Sequence, residues 1–480
     1  MSAGELISYA IYFGGAFAAA CGIIFGFVSM LQVERRFSDL VVPAVIPLLA
    51  LGITLSTVLS QRNLNFASFN IDLISAGAVG SGGWLLRLVS FTVVGLGAAK
   101  IAGYLFKRRQ SSPRVTIEGQ ALYAAFVAYF VGNVLLNAAF GEHPVFIHNS
   151  VYPLVIFSAV YLGRGEPLEP LIRGAKYSLF AMMVLSLSLA LIKPELAVQT
   201  SYKGWLPGVS IRLWGVGSNA NSIGPLAVLT LLLEAMLPAR KFLLRLAIVL
   251  SALAVLLLAQ SKTALLAGMV AAAILIWYRY GRLPNGGVDI RFLLAVVVAL
   301  LLVGLALNHL NLERIWAKIE ASGVGSDITT LTGRAQIWAA ALDEWEANPV
   351  FGYGLEAWGA EHRMRLGMQF AFSAHNQLLQ TLSSAGTIGA AAFVVYLFLL
   401  VRGALRCAER TGGVSLALLA VILLRCVTET PLTFGTILNG DFLTHLLLFM
   451  ICLRGFRKDH QSSTASFPVF IKSSNTVILQ

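Results

Sequence analysis

The chain has 480 residues, of which 57% are hydrophobic and 12% charged, with 35 Lys and Arg against 23 Asp and Glu and a formal net charge of +12; its mean hydropathy is +0.78. Soluble domains carry about one-quarter charged residues, so this composition excludes a soluble protein and defines a polytopic membrane chain. The positive balance does not imply nucleic acid, because the basic residues sit in short clusters between apolar runs rather than in a stripe along one face.

The opening Met1-Ser2-Ala3-Gly4-Glu5 has no basic stretch and no small-residue cleavage signal, so the first apolar run is expected to stay on the chain. Spanning helices need about 20 apolar residues. Such runs are predicted over 6–30, 40–60, 84–106, 119–140, 145–163, 175–192, 223–237, 242–260, 263–280, 292–308, 376–401, 414–428 and 437–453. The expected fold is therefore an all-α transmembrane bundle of about 12–13 spans, with a large extramembrane loop over 309–375 that carries short helices. Cys21, Cys407, Cys426 and Cys452 lie in or beside these runs, a pattern that predicts neither a disulfide framework nor a zinc site.

Lys and Arg are retained on the cytoplasmic side. With the amino terminus outside, alternation places Arg35-Arg36, Lys107-Arg108-Arg109, Arg164 with Arg173 and Lys176, Arg240-Lys241, Arg279 with Arg282, Arg402 with Arg406 and Arg410, and Arg454 with Arg457-Lys458 all inside. The segments left outside are 61–83, 141–144, 193–220, 260–263, 309–375 and 429–439. An extra span near 70–83 would flip only the amino-terminal part.

Most cations on the outer face, among them Lys193, Lys203, Arg314, Lys318 and Arg363, read as solvated or snorkelling side chains. Arg212, Lys262 and Arg425 differ, because each is embedded in apolar sequence at a helix junction, where an unpaired cation is costly. They call for an anion.

In the long outer segment, 311–321 has apolar residues at helical spacing and predicts a helix lying on the bilayer surface, followed by a Gly/Ser/Thr-rich connection over 322–332. Thr332-Gly333-Arg334 opens a second helix, with Thr332 as its expected cap, in which Trp338 and Trp345 share a face until Asn348-Pro349 ends it. Asp343, Glu344 and Glu346 point to different sides of that helix, so a solvated face is the simpler reading than a metal site, and no Asp-x-Asp clamp occurs. The glycines of Gly352-Tyr353-Gly354 permit a tight turn with close backbone approach. His375-Asn376 stands at the mouth of the next span, where the plain reading is a cap and the functional one a base.

Four pieces, in this order, resemble the O-antigen ligase and Wzy-type polysaccharide polymerase superfamily: Arg212 with Gly215 and Asn221-x-x-Gly224; Ser261-Lys262-Thr263-Ala264; Gly333-Arg334-x-x-x-Trp338 leading to Pro349 and Gly352-Tyr353-Gly354; and His375-Asn376-x-x-Leu379 with Gly386 and Gly389. The resemblance covers roughly 206–400. Family members often have Ser-Arg where this chain has Ser261-Lys262, and lysine keeps the charge while losing bidentate geometry.

The resemblance implies a GT-C-like fold and metal-independent, inverting transfer of a glycan from undecaprenyl diphosphate to an acceptor sugar hydroxyl at the periplasmic face of the bacterial inner membrane, with no cofactor. His375 is the expected catalytic base. Arg212, Lys262 and Arg334 are expected to hold the diphosphate, with Asn221, Asn376, Arg365 and Arg425 in support and no metal ligands. Partners implied are the lipid-linked glycan, an acceptor glycan on a lipid-linked chain or lipid A-core, the bilayer, and chain-length regulator or export proteins. The expected organisation is 1–205 as amino-terminal spans, 206–400 as the catalytic region, 401–454 as carboxy-terminal spans and 455–480 as a flexible cytoplasmic tail. Polymerase is slightly favoured over ligase on the Ser-Lys-Thr variant, and a transporter or flippase of lipid-linked glycans and a non-catalytic scaffold are the competing classes.

Overall fold

A computed structural model describes residues 3–60, 62–65, 83–106, 117–202, 204–206, 208–283, 287–298, 331–369 and 371–455. The surface helix expected over 311–321, the connection after it up to 330, the far part of the span expected over 292–308, Lys203, the stretch 70–82 and the tail from 456 lie outside the described residues.

The described part is helical apart from one two-residue antiparallel ribbon and an isolated bridge. Helix α1 (Ala3–Leu59) is followed by α2 (Gly83–Phe106), and α3 (Ile117–Phe140) contains a π-helical segment at Val131–Leu136. After α4 (Tyr152–Leu162) and α5 (Leu168–Ile192) comes the ribbon of β1 (Val198–Gln199) and β2 (Arg212–Leu213). The hairpin α6 (Ala220–Met236), α7 (Phe242–Leu258) and α8 (Lys262–Ile276) is next, with a further helical stretch at 290–298. The chain ends with α9 (Leu331–Ala347), the short α10 (Ala360–Arg365), α11 (Gln377–Cys407), α12 (Val414–Thr428) and α13 (Gly440–Gly455).

Six of these helices are long and apolar enough to cross a membrane, three shorter apolar ones join them, and the chain is a polytopic helical membrane protein. Among the described residues each of the thirteen apolar runs contains helix, and several of these helices are shorter than a full span. The runs at 6–30 and 40–60 are the two helical segments of α1, which meet at a kink at Phe37, where φ −129 and ψ 38 leave the helical region. The run at 145–163 yields only the 11-residue α4, because Pro144 and a 3-10 turn at His148–Val151 take up its start.

Two helices form the axis. Along α6, fourteen of 17 residues are buried, and along α13 the run from Leu446 to Cys452 is at most 1% exposed. A helix apolar all round is stable only when other helices enclose it, which the outer helices do while turning Leu and Phe side chains toward lipid.

Pro349 to Gly354 is threaded against a break in α11. Gly386 has φ +63 and Gly352 φ +70. The amides of Tyr353 and Gly354 donate to the carbonyls of Ser383 and Ser384 at 2.8 and 3.0 Å, and the Thr387 amide donates to Pro349 O at 2.8 Å. The backbone groups that the kink frees from the helix ladder are thus satisfied by the turn.

Candidate active site

Three helix N-termini meet at one end of the bundle. Asn219 caps α6 in a capping box with Ser222, Ser261 caps α8, and Asn376 caps α11, accepting from the amides of Leu378 and Leu379 at 3.0 and 3.1 Å. The C-terminal end of α12 delivers Glu429 to the same place.

Asn221, in the first turn of α6, is the hub. Its Oδ1 accepts from Arg212 Nη2 at 2.9 Å and from Ser261 Oγ at 3.1 Å, its Nδ2 donates to Glu429 Oε1 at 3.1 Å, and its carbonyl accepts from Arg425 Nη1 at 2.5 Å. Donors on one side and a carboxylate on the other fix the orientation of the amide. The other oxygen of Glu429 meets His375 Nδ1 at 3.1 Å. One unbroken path therefore runs from Arg212 through Asn221 and Glu429 to His375.

Burial works to raise the Glu429 carboxyl, but the hydrogen bond and charge of His375, with the charges of Arg425 and Arg334, outweigh it and hold the group below the ordinary carboxylate range. Glu429 is then an anion at neutral pH and accepts from His375 Nδ1–H. With Nδ1 turned to Glu429, Nε2 is the ring nitrogen left for a further partner, on a ring 28% exposed. His375 itself has φ +48, in the left-handed region. The preceding peptide is pinned on both sides, by Trp338 Nε1 donating to Ala374 O at 3.0 Å and by the Ala374 amide donating to Gln380 Oε1 at 2.9 Å. This is what the Arg334-x-x-x-Trp338 spacing does: one turn beyond Arg334, the indole braces the histidine.

Arg212 lies on β2, its Nε donating to Ala259 O at 3.2 Å and its guanidinium 4.7 Å from the Tyr202 ring centroid. Burial lowers its pKa, partly offset by Tyr202 and Glu429; a guanidinium stays charged nonetheless. The loop carrying it is clamped from two sides. Arg62, just past α1, is buried and donates to the carbonyls of Leu196, Gly215 and Gly217 at 2.8 Å and Ser218 at 3.1 Å. Gln260 is 1% exposed, and its amide donates to Ile211 O at 2.5 Å.

The remaining expected site residues divide. Arg334 lies near enough to Glu429 for its charge to act there. Arg425, which called for an anion, finds one within the chain, pairing with Asp441 Oδ2 at 2.8 Å. Lys262 adjoins the network through Ser261 but is itself exposed. Arg365 is placed elsewhere, donating to Tyr353 Oη and meeting His362 Nδ1, each at 2.7 Å, beside a His362–Glu344 pair at 3.0 Å. Thr332 falls inside the helix Leu331–Ala347 rather than ahead of it. Glu429 and Arg62 were not singled out by the sequence. Glu429 has one available signal: an acid four residues after Arg425 at the end of an apolar run, on the expected outer face.

The fold and the site define a multi-pass membrane protein with a bonded Arg/Asn/Glu/His cluster at one end of its helices. Residues 246–394 match the family model described as O-Antigen ligase (Wzy_C), and over that segment the chain is similar to this family. No curated protein matches the chain. The matched segment contains Ser261, Lys262, Arg334 and His375, while Arg212, Asn221, Arg425 and Glu429 flank it.

Proposed function

We propose that this protein transfers a glycan from undecaprenyl diphosphate to an acceptor sugar hydroxyl at the periplasmic face of the inner membrane, with His375 as general base and Arg212 and Arg334 on the diphosphate. The observation that carries the reading is the path Arg212–Asn221–Glu429–His375, which joins a buried cation to a histidine whose Nδ1 faces a carboxylate.

In the reaction, His375 Nε2 takes the proton of the acceptor hydroxyl as its oxygen attacks the anomeric carbon from the face opposite the diphosphate. The carbon–oxygen bond to the diphosphate breaks, its electron pair passes to the leaving group, and the configuration inverts. Glu429 steadies the imidazolium that forms. Charge gathering on the leaving diphosphate is met by the guanidinium groups and by the positive ends of α6, α8 and α11, so the donor set needs no divalent ion. Lys262, exposed at the start of α8, is positioned for the more distant phosphate or its lipid, as a point charge rather than a bidentate clamp.

The periplasmic assignment rests on charge. Arg164, Arg173, Lys176, Arg240, Lys241, Arg406 and Arg454 all lie toward the ends of helices remote from His375, the side that positive charge keeps in the cytoplasm. The catalytic region extends from about 206 to 400 with α12 and α13 completing it, since Glu429 and Asp441 come from beyond that range. A transporter is less well supported, because transporters place their charges near the bilayer midplane, whereas this cluster sits at helix termini.

The test is to incubate purified protein with undecaprenyl-diphosphate-linked repeat units, with and without core lipid. Lengthened lipid-linked chains indicate a polymerase, the reading slightly favoured here, and product only with core lipid a ligase. No transfer under either condition, with transfer by a known ligase in parallel, overturns the proposal.

A further inference from the structure

At the other end of the bundle a cavity of about 350 Å³ opens between the bend of α1, the last turns of α2 and the α4–α5 connection. Asp39, Lys100, Tyr104, Arg164 and Glu166 supply its polar lining, with Leu162 and Pro167 as apolar wall. The 38–59 part of α1 separates Asp39 from Arg62 and the His375 cluster by about 30 Å at 1.5 Å per residue, so this site is independent of the transfer chemistry.

The charges do not close on themselves. Lys100 Nζ donates to Ser38 Oγ at 2.8 Å and Ser38 O at 2.9 Å and forms an ion pair with Glu166 Oε1 at 2.6 Å, with Glu34 Oε1 a further 3.9 Å contact. Glu166 is 7% exposed, and apart from the ion pair with Lys100 neither of its carboxylate oxygens has a hydrogen-bond donor among the described residues. Burial raises its carboxyl above the ordinary range against the pull of Lys100, and Asp39 adds repulsion. Arg454 Nε holds the Glu166 carbonyl at 3.1 Å, which fixes the loop without reaching the carboxylate. Arg164, resting on the Tyr161 ring at 4.6 Å, stands at the rim. The open requirements are thus a multi-donor cation for the Glu166 oxygen and Asp39, and an anion for Arg164.

We propose that this cavity binds the headgroup of an ethanolamine phospholipid in the leaflet opposite the His375 site, with the ammonium between Asp39 and Glu166 and the phosphate on Arg164. A primary ammonium offers three donors where a choline headgroup offers none, and an anionic headgroup without an amine leaves Glu166 unmatched. The cavity lies where α2 ends and α5 begins, at the level where the lipid headgroups meet the helices, and the acyl chains run along the apolar wall at Leu162.

The experiment is native mass spectrometry of the full chain in detergent with equal amounts of phosphatidylethanolamine, phosphatidylglycerol and phosphatidylcholine of identical acyl chains. Ethanolamine lipid should be retained about tenfold over the other two, the scale of one charge-assisted hydrogen bond. Glu166→Gln and Asp39→Asn should each erase that preference; Asp39 is exposed, so its variant keeps the test valid if loss of the Lys100 partner harms folding. Equal retention of the three lipids, or an undiminished preference in Asp39→Asn, overturns the proposal. Displacement of the lipid by an equal concentration of soluble phosphoethanolamine overturns the lipid assignment.

Discussion

At the level of single side chains, the site depends on each polar group having one answer to the question of what it faces. Asn221 accepts from a cation and a hydroxyl and donates to a carboxylate, so the carboxylate is forced to turn its second oxygen to His375. Replacing His375 removes the proposed base; because the residue has φ +48, asparagine is the replacement that tolerates the backbone. His375→Asn should lower the turnover of glycan transfer by about 10²–10⁴ with little change in melting temperature, and activity within a few-fold of wild type removes the general-base assignment. Glu429 makes a separate prediction through pH. Its carboxyl is held below the ordinary range, so its contribution to stability is complete above about pH 4.3 and is lost as pH falls through the lower folded value. Glu429→Gln should therefore melt below wild type at neutral pH, with the gap closing as the buffer is taken through the acid range. A gap that stays constant with pH means that the carboxylate is not ionised in the fold. Arg212, Asn221 and His375 were legible in the sequence because charge or hydrogen-bonding capacity in an apolar junction is conspicuous. Glu429 was not, because a lone acid after a span carries no spacing signal and its partner lies 54 positions away.

At the level of elements, the reading from sequence succeeded where a turn or cap depends on local chemistry and failed where continuity depends on tertiary contacts. The Gly-Tyr-Gly turn was visible as glycine spacing, but its partner, the break of α11 at Gly386, was hidden inside what looked like an uninterrupted apolar run. The two glycines need one another. A Cβ on Gly352 would lie 2.6 Å from the backbone nitrogen of Ala385, whereas one on Gly367, also at positive φ, meets nothing within 4 Å. Alanine at either position incurs backbone strain of about 1–3 kcal/mol, and only at 352 is a steric clash with backbone added. Gly352→Ala should thus lower the melting temperature more than Gly367→Ala and should also depress transfer, since the displaced turn leads through α10 to the Ala374–His375 peptide. Equal shifts for the two variants would show that the turn is not wedged against α11. The Ser-Lys-Thr stretch teaches the same lesson at a helix start: the conspicuous residue was Lys262, yet Ser261, the cap, is the one whose hydroxyl enters the Asn221 network.

Taken as a whole, the bundle is polarised along its helices, and this polarity makes a claim about sidedness. The enclosed helices α6 and α13 each begin at the active-site end, presenting Asn221 and Asp441, and because their flanks are packed on all sides these starts are rigid. At their far ends, Glu234 pairs with Lys176 at 3.0 Å and Arg454 holds the α4–α5 connection, so these particular buried charges tie helices together. The matched segment alone would leave His375 without Glu429 and Ser261 without Asn221, so the hydrogen-bonded cluster is complete only with the flanking helices. Basic residues gather at the end remote from His375, and positive charge resists translocation, so the proposed function requires the His375 end to face the periplasm. In a cysteine-free background, Glu356→Cys and Gly165→Cys place a thiol at exposed positions at the two ends. A membrane-impermeant maleimide applied to spheroplasts should label the first and reach the second only after the membrane is opened. The reverse pattern would put His375 in the cytoplasm, where a lipid-linked glycan that has already been exported could not meet it.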